Sequence, residues 1–273
     1  ILYRLVGSEM CIRDRKYNSV MLKGNAVIAN SEYTAKKISL NYQFDINKID
    51  IIPRGVNCED FKTINFPNNE ILNLRKKWTK NNNQKIILLP ARYTRWKGHE
   101  LAIKALSELS KKNANLNFSI IFVGNKKGNE KYINHLEKLS NKLGISNYLR
   151  ILENFDNMPL AYLSSDIILY PSIVPEPFGR VSIEAQAAGK IIIASDDGGT
   201  KETIVDGINN SGFRFKSNNL DDLTNKIDFA LKLNDGEISN ITKRAIKNVS
   251  ENFSLENMCK KTLDVYDRIL NVL

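Results

Sequence analysis

The sequence predicts an α/β protein built on a doubly wound, parallel sheet. Short apolar runs alternate regularly with helical stretches from Lys85 to Phe215, and strands that alternate with helices form parallel sheets. Gly144 and Gly189 each follow such a stretch, where a left-handed residue closes a helix.

The elements are read in order. From Asn25 comes an apolar run, then Ser31 as a helix cap, a helix through about Leu40, and the short strand Ile49–Ile52 stopped by Pro53. This is a βαβ-like unit. Residues 57–83 are polar and broken by Pro67 and a run of Asn, with a short helix over Glu70–Lys77, and read as a linker. The strand Lys85–Pro90 follows, then a helix over Glu100–Leu109 with Leu101, Ala105 and Leu109 on one face, and the strand Asn117–Val123. A helix over Asn129–Leu143 leads to the strand Tyr148–Leu152, a short helix near Pro159–Ser164 and the strand Ile167–Tyr170. A helix over Arg180–Ala188 and the strand Lys190–Ala194 come next, then a short strand over Gly212–Phe215. Helices near Leu220–Leu233, Glu237–Asn248 and Ser254–Val272 complete the chain, which shows no internal repeat.

Composition narrows the function classes. The 273 residues, 42% hydrophobic, suffice for one large domain or two small ones. The net charge of +10 favours acidic partners, but the basic residues are scattered rather than interleaved with aromatics, which argues against a nucleic-acid surface. Cys11, Cys58 and Cys259 are odd in number and far apart, which fits reduced thiols and a cytoplasmic location. No apolar run reaches the roughly 18 residues that span a bilayer. The opening ILYRLVGSEMCIRDR has no initiator Met and no clear periodicity. It resembles translated adaptor or assembly sequence, and residues 1–15 are set aside as an artefactual extension.

In a doubly wound sheet, ligands bind beyond the carboxyl ends of the strands, where helix N-termini present free N–H groups. The loop after Lys85–Pro90 holds Arg92 and Lys97 just before Gly98. A guanidinium fork and a compact ammonium beside a glycine suit a diphosphate, although a solvated basic turn is the simpler reading of this loop alone. A second loop joins Pro175, Glu176, Pro177, Phe178 and Gly179 to a helix of small residues, Arg180 to Ala188. Glu176 lies in the loop and Glu184 just over one turn into the helix, so the two carboxylates can face a crevice at different depths. A glycosidase acid and base pair is the competing reading, and needs a fixed separation that spacing does not establish. The loops over Asp196–Glu202 and Gly124–Asn129 are either ligand-approaching or ordinary turns. His135 reads as a surface residue and His99 as a residue of a helix cap, neither of them catalytic.

The spacing from Glu176 to Glu184 resembles the E-x7-E motif of the retaining family 4 (group 1) glycosyltransferases of GT-B fold. The resemblance runs from Asn25 to Leu273 and includes Ile51–Asn57, Ala91–Gly98, Ile121–Gly124, Asp166–Ser172 and Asn252–Ser254. It implies that Arg92 and Lys97 bind a nucleotide diphosphate, that Glu184 holds the ribose hydroxyls, and that Glu176 contacts a hydroxyl of the transferred sugar. Backbone amides of Phe178, Gly179, Arg180 and Val181 would meet the sugar and phosphate, with Gly124 and the main chain near Leu152 beside the base. Arg92, Lys97 and Glu176 are thus the expected catalytic residues. The implied donor is a UDP- or GDP-linked sugar, and the acceptor a glycan or lipid-linked molecule. With leaving-group charge answered by Arg92, Lys97 and a helix N-terminus, and with no D-x-D sequence in the chain, no metal or other cofactor is expected.

The same resemblance divides the chain. Residues 16–66 would be the remnant of an N-terminal acceptor domain and its linker, 67–253 the nucleotide-sugar-binding domain, and 254–273 a helix crossing back. As a truncated fragment it would be inactive alone. Arg180, Gln186 and the wording from Tyr93 to Gly98 lean toward lipopolysaccharide or surface-glycan synthesis, which would bring peripheral contact with the inner face of the plasma membrane. The alternatives are a sugar-nucleotide epimerase of the same fold and an inactive nucleotide-sugar-binding fragment.

Overall fold

The computed structural model describes residues 18–81, 83–112 and 117–271, so the opening stretch set aside above lies outside them. Among these residues, β1 (Val27–Ala29) and β2 (Ile49–Ile51) pair in parallel, joined by helix α1 (Glu32–Tyr42). Ser31 caps α1 as expected, its extended backbone letting its hydroxyl accept the Thr34 N–H at 3.0 Å.

The larger sheet has six strands, all parallel, in the order β5-β4-β3-β6-β7-β8. They are β3 (Lys85–Pro90), β4 (Phe118–Val123), β5 (Leu149–Leu152), β6 (Ile167–Tyr170), β7 (Ile191–Ser195) and β8 (Phe213–Phe215). The expected strands are all present, with bounds shifted by a residue or so. The chain lays down β3, β4 and β5 in one direction, then returns to place β6 against the free side of β3. That reversal is a topological switch point, the place where the loops after neighbouring strands diverge and leave a crevice.

Both faces of the sheet are covered, which is why β3 and β4 are apolar along nearly their whole length. One face packs against α3 (His99–Lys112), α4 (Glu130–Lys142) and α8 (Leu220–Leu231), through Leu106, Leu136 and Ile227 among others. The other packs against α2 (Asn68–Trp78), α5 (Met158–Leu163), α6 (Arg180–Ala187) and the end of α9 (Asp235–Asn252), through Trp78, Tyr162, Ile183 and Val249. The short α7 (Thr200–Thr203) follows β7, and α10 (Leu255–Leu270) ends the described chain. α10 returns to the small unit: Arg268 pairs with Asp50 at 2.5 Å, and Val56 bonds the backbone of Phe253 and Leu255.

The stretch 57–83 that reads as a linker is anchored to the large domain. Leu74 and Trp78, four residues apart on α2, fall on one helix face and are buried with Phe61 in the core beneath the sheet. The Trp78 ring meets Phe155 edge-on at 6.2 Å, and its carbonyl accepts the buried Ser119 hydroxyl at 2.6 Å. The polar composition of 57–83 hides this anchor because a helix needs only one apolar face to dock. Trp78→Ala is therefore expected to lower the unfolding free energy by about 3–5 kcal/mol in urea titration. A loss below about 1 kcal/mol would mean that α2 contributes no packing.

Candidate active site

The site forms where the loops after β3, β4 and β6 meet the start of α6. At the end of β3, Gly98 takes a left-handed backbone (φ 75°), and a Cβ there would stand 1.8 Å from the Pro171 carbonyl oxygen after β6. Only glycine allows the two loops to pass this closely. That passage brings the Lys97 ammonium to 2.6 Å from Glu176 Oε1, with side-chain exposures of 11% and 7%.

Buried charges need several partners, and these have them. The Ser172 hydroxyl donates to the same carboxylate oxygen at 2.5 Å, and Lys97 Nζ lies 3.4 Å from the Tyr170 hydroxyl. The ammonium also sits over the Trp96 ring at 4.1 Å, while the Arg92 guanidinium lies 5.6 Å from the same ring. Burial pushes the Lys97 ammonium below its ordinary value, with Glu176 opposing and Arg92 adding to the depression. Tyr170 is raised well above the usual phenol range, by burial first and then by Glu176, so it remains a neutral hydroxyl.

Glu184 is held separately. Its Oε2 accepts the Tyr162 hydroxyl at 2.8 Å and its Oε1 the Arg180 guanidinium at 2.9 Å. Tyr162 is likewise raised well above the phenol range, by burial and then by Glu184, and so stays a donor. Glu184 lines a crevice of about 460 Å³ together with Arg92, Gly124 and Val181, opposite Asn154, Phe155 and Asp156. Glu176 and Lys97 lie outside that lining, screened within their own pair. Phe178 is buried, and Gly179 (φ 93°) is the residue from which α6 starts, where the first N–H groups of a helix lack intrahelical acceptors.

Of the expected site residues, Arg92, Gly124, Val181 and Glu184 thus border one crevice, and Lys97, Glu176, Phe178, Gly179 and Arg180 stand beside it. Three details go beyond what the sequence shows. Lys97 engages the Glu176 carboxylate rather than standing open, because a buried ammonium requires a counter-charge. The Arg180 side chain turns back to Glu184, one turn along its own helix, leaving only its backbone for a ligand. The Leu152 carbonyl is already taken by the Tyr93 hydroxyl at 2.6 Å and the Gly124 N–H at 3.3 Å, so Asn154 to Asp156 form the wall at that end. Tyr162, Tyr170, Ser172 and Trp96 were not singled out by sequence, since each also satisfies an ordinary strand, turn or helix pattern.

His135 is exposed, 3.3 Å from Glu100. His99 opens α3, as expected of a residue following Gly98, yet it is wholly buried among Tyr93, Phe122 and Tyr132, and among the described residues neither ring nitrogen has a partner in good hydrogen-bond geometry. Among the described residues, no group of three or more His, Cys, Asp or Glu is arranged to hold a metal ion. Among the same residues, no helix is long and apolar enough to cross a membrane.

A six-stranded parallel sheet whose switch point carries this crevice has the architecture of a GT-B glycosyltransferase. The family profile of the group 1 glycosyl transferases matches residues 70–250. The chain belongs to that family. It is 30% identical over 88% of its length to a glycosyltransferase of Methanocaldococcus jannaschii, of which it covers 59%. It is 27% identical over 78% of its length to the lipopolysaccharide 1,2-N-acetylglucosaminetransferase of Salmonella typhimurium, of which it covers 55%. The chain thus spans somewhat over half the length of these curated relatives. Among solved structures, a glycosyltransferase of Rickettsia africae superposes with a TM-score of 0.87 at 36% identity, over 97% of this chain and 69% of that one. Anabaena HepE, crystallised with UDP and glucose, gives a TM-score of 0.84 at 22% identity, over 95% of this chain and 68% of that one, and bears on the fold alone.

The His99 environment gives a pH dependence with a definite sign. Burial lowers its pKa from 6.5 to about 4, so the unfolded chain binds the proton more readily than the folded one. The neutral-His contribution is complete above about 6.5 and is lost as pH falls from there to about 4, by up to ~3 kcal/mol. Thermal midpoints across this window should fall less steeply in His99→Gln than in the wild type. Equal slopes would show that His99 does not carry the effect.

Proposed function

We propose that this chain is the donor-binding part of a retaining glycosyltransferase that moves a hexose from a UDP- or GDP-linked donor to a glycan or lipid-linked acceptor. The observation that carries the reading is that Arg92 and Glu184 line one crevice while the buried Lys97–Glu176 pair stands beside it, at the start of one helix. On this reading Glu184 takes the ribose hydroxyls from the crevice wall. Arg92, Lys97 and the amides opening α6 answer the diphosphate, and Glu176 meets a hydroxyl of the sugar. A diphosphate entering beside Lys97 would share its ammonium with Glu176, so the pair is already poised between substrate charge and sugar contact.

The chemistry needs no protein nucleophile. The bond from the anomeric carbon to the phosphate oxygen breaks and the bond to the acceptor oxygen forms on the same face. The acceptor's proton passes to the departing phosphate. Stabilising the charge left on that phosphate is then the main task of the protein, and Arg92, Lys97 and the helix N-terminus supply positive potential there without a metal. The likeness to the Salmonella lipopolysaccharide enzyme supports a role in lipopolysaccharide or surface-glycan assembly, with peripheral contact between the basic surface and an anionic membrane. The domain division stands in the same proposal: 16–66 belongs with the acceptor domain, 67–253 binds the donor, and 254–273 returns to the acceptor side, so that transfer needs more than this chain.

Calorimetric titration of UDP, GDP, ADP and CMP into this chain, without added metal, tests the donor site. One nucleotide should bind selectively, and Arg92→Ala and Glu184→Ala should each weaken it about tenfold, the loss of roughly one charged contact. In a protein completed with its acceptor domain, Glu176→Gln should abolish transfer while sparing nucleotide affinity. Binding of none of the four by the folded chain, or full transfer by Glu176→Gln, would overturn the assignment.

A further inference from the structure

The loop over Asp196–Glu202 reads in sequence as either a ligand loop or an ordinary turn, and its last residue does something neither reading anticipates. The Glu202 carboxylate crosses to the small unit and accepts the first two N–H groups of α1, from Glu32 and Tyr33, at 2.8 Å each. With Ser31 capping the Thr34 N–H, the first three donors of that helix are all answered, two of them by a residue of the large domain. A carboxylate at a helix N-terminus is also favoured by the helix dipole.

A second contact lies beside the first. The Ser31 hydroxyl reaches the Pro177 carbonyl oxygen at 2.5 Å, and the Thr34 hydroxyl, 2.8 Å from Asn30 Oδ1, lies 3.2 Å from the same carbonyl. Pro177 directly follows Glu176. The backbone of Glu176 is in turn held by the segment that carries Glu202, through a bridge to Gly198 and through its carbonyl, which accepts the Gly199 N–H at 2.8 Å. Added Cβ atoms at Gly198 and Gly199 would meet Glu176 O at 2.3 Å and Phe178 Cα at 2.5 Å, so these strips of backbone are in tight contact. The first turn of α1 therefore grips both walls of the Glu176 loop, one through Pro177 and the other through Glu202.

We infer that Glu202, Ser31 and Thr34 form a latch that couples the small β1-α1-β2 unit to the Glu176 loop and so positions that carboxylate for the donor sugar. Glu202 is a positioning residue: it acts through Gly199 and Pro177 and touches no reacting atom. The latch rests on the role proposed for Glu176, but its structural half can be read without any ligand. When α1 is seated, the loop is clamped from two sides; when α1 moves away, Pro177 loses its hydroxyl contacts and Glu202 the two N–H groups that its carboxylate accepts. The state of the small unit is thereby transmitted to the sugar end of the site, while Arg92 and Glu184 at the nucleotide end share none of these contacts.

The test is amide hydrogen exchange, resolved by NMR, on this chain and on Glu202→Ala, Glu202→Gln and Ser31→Gly. Glycine is tolerated as a helix cap at a cost of a few tenths of a kcal/mol, so Ser31→Gly removes the shorter of the two hydroxyl contacts to Pro177 while keeping the fold. Exchange at Gly199 should quicken about tenfold in Ser31→Gly and in Glu202→Ala, Glu202→Gln, which keeps one of the two accepting oxygens, should fall between Glu202→Ala and the wild type, and amides of β4 should be unchanged. Faster exchange confined to Glu32, Tyr33 and Thr34, with Gly199 protected as in the wild type, would overturn the latch. Titrations of UDP and UDP-glucose give the second readout: Glu202→Ala should lower the affinity for UDP-glucose about tenfold and leave that for UDP within about twofold. An equal loss for both ligands would also overturn the positioning role. If the wild type binds neither ligand, the donor reading fails, and the exchange measurement still decides the latch.

Discussion

A lysine ammonium withdrawn from water must be answered by a carboxylate, and the layout of the site follows from that requirement. Desolvating each ion costs several kcal/mol, so Lys97 and Glu176 are tolerable at their depth only as a close pair with further hydrogen bonds. Lys97 stands on the turn after β3 and Glu176 on the loop after β6, strands that are neighbours only because the sheet reverses between them. The backbone must also cross at contact distance, which Gly98 permits on one side of the pair and Gly198 on the other. Fold topology, two glycines and a buried ion pair are thus parts of a single constraint.

The second carboxylate shows the contrast. Glu184 rests on the first turns of α6 with one side open to the crevice and is steadied by a buried phenol from α5. Its pairing with the exposed Arg180 contributes little to stability, as surface ion pairs do. One acid is locked in place by charge and the other is presented to the crevice by packing. Such a division suits contacts with different parts of one extended ligand.

Most of the sheet was legible in the sequence because strands buried on both faces leave continuous apolar runs between glycine and proline breaks, as in Lys85–Pro90 and Ile167–Tyr170. The charged residues of the candidate site stood out in the sequence because Arg92, Lys97, Glu176 and Glu184 fall in loops or helix starts that no packing pattern explains. The supporting hydroxyls were not. Tyr170 closes an apolar strand and Tyr162 lies on the apolar face of a short helix, so each reads as core, and its role depends on a carboxylate brought up from elsewhere in the chain. Glu202 reads as an unremarkable acid in a helical turn because its partners are 170 and 169 residues away. Burial of His99 was hidden for the same reason: the aromatic wall around it comes from β4 and α4 as well as from its own loop.

The joint between the small unit and the large domain has a character that these long-range contacts explain. β1, α1 and β2 share a buried cluster of Val27, Ala29, Ala35, Ile38 and Ile49, separate from the two cores that flank the large sheet. Two short strands and one helix bury too little to be stable alone. The unit is held instead by polar contacts: Glu202 on the start of α1, Ser31 and Thr34 on Pro177, Arg268 on Asp50, and the backbone of Val56 on Phe253 and Leu255. Hydrogen bonds fix direction sharply, yet their net worth is small because water replaces them once they part. An apolar joint of similar extent would resist opening through the area it exposes, whereas a polar one is defined when closed and can be released at modest cost. With the roles proposed for these residues, a joint of that kind on the loop of Glu176, and away from Arg92 and Glu184, would separate the holding of a nucleotide from the placing of its sugar.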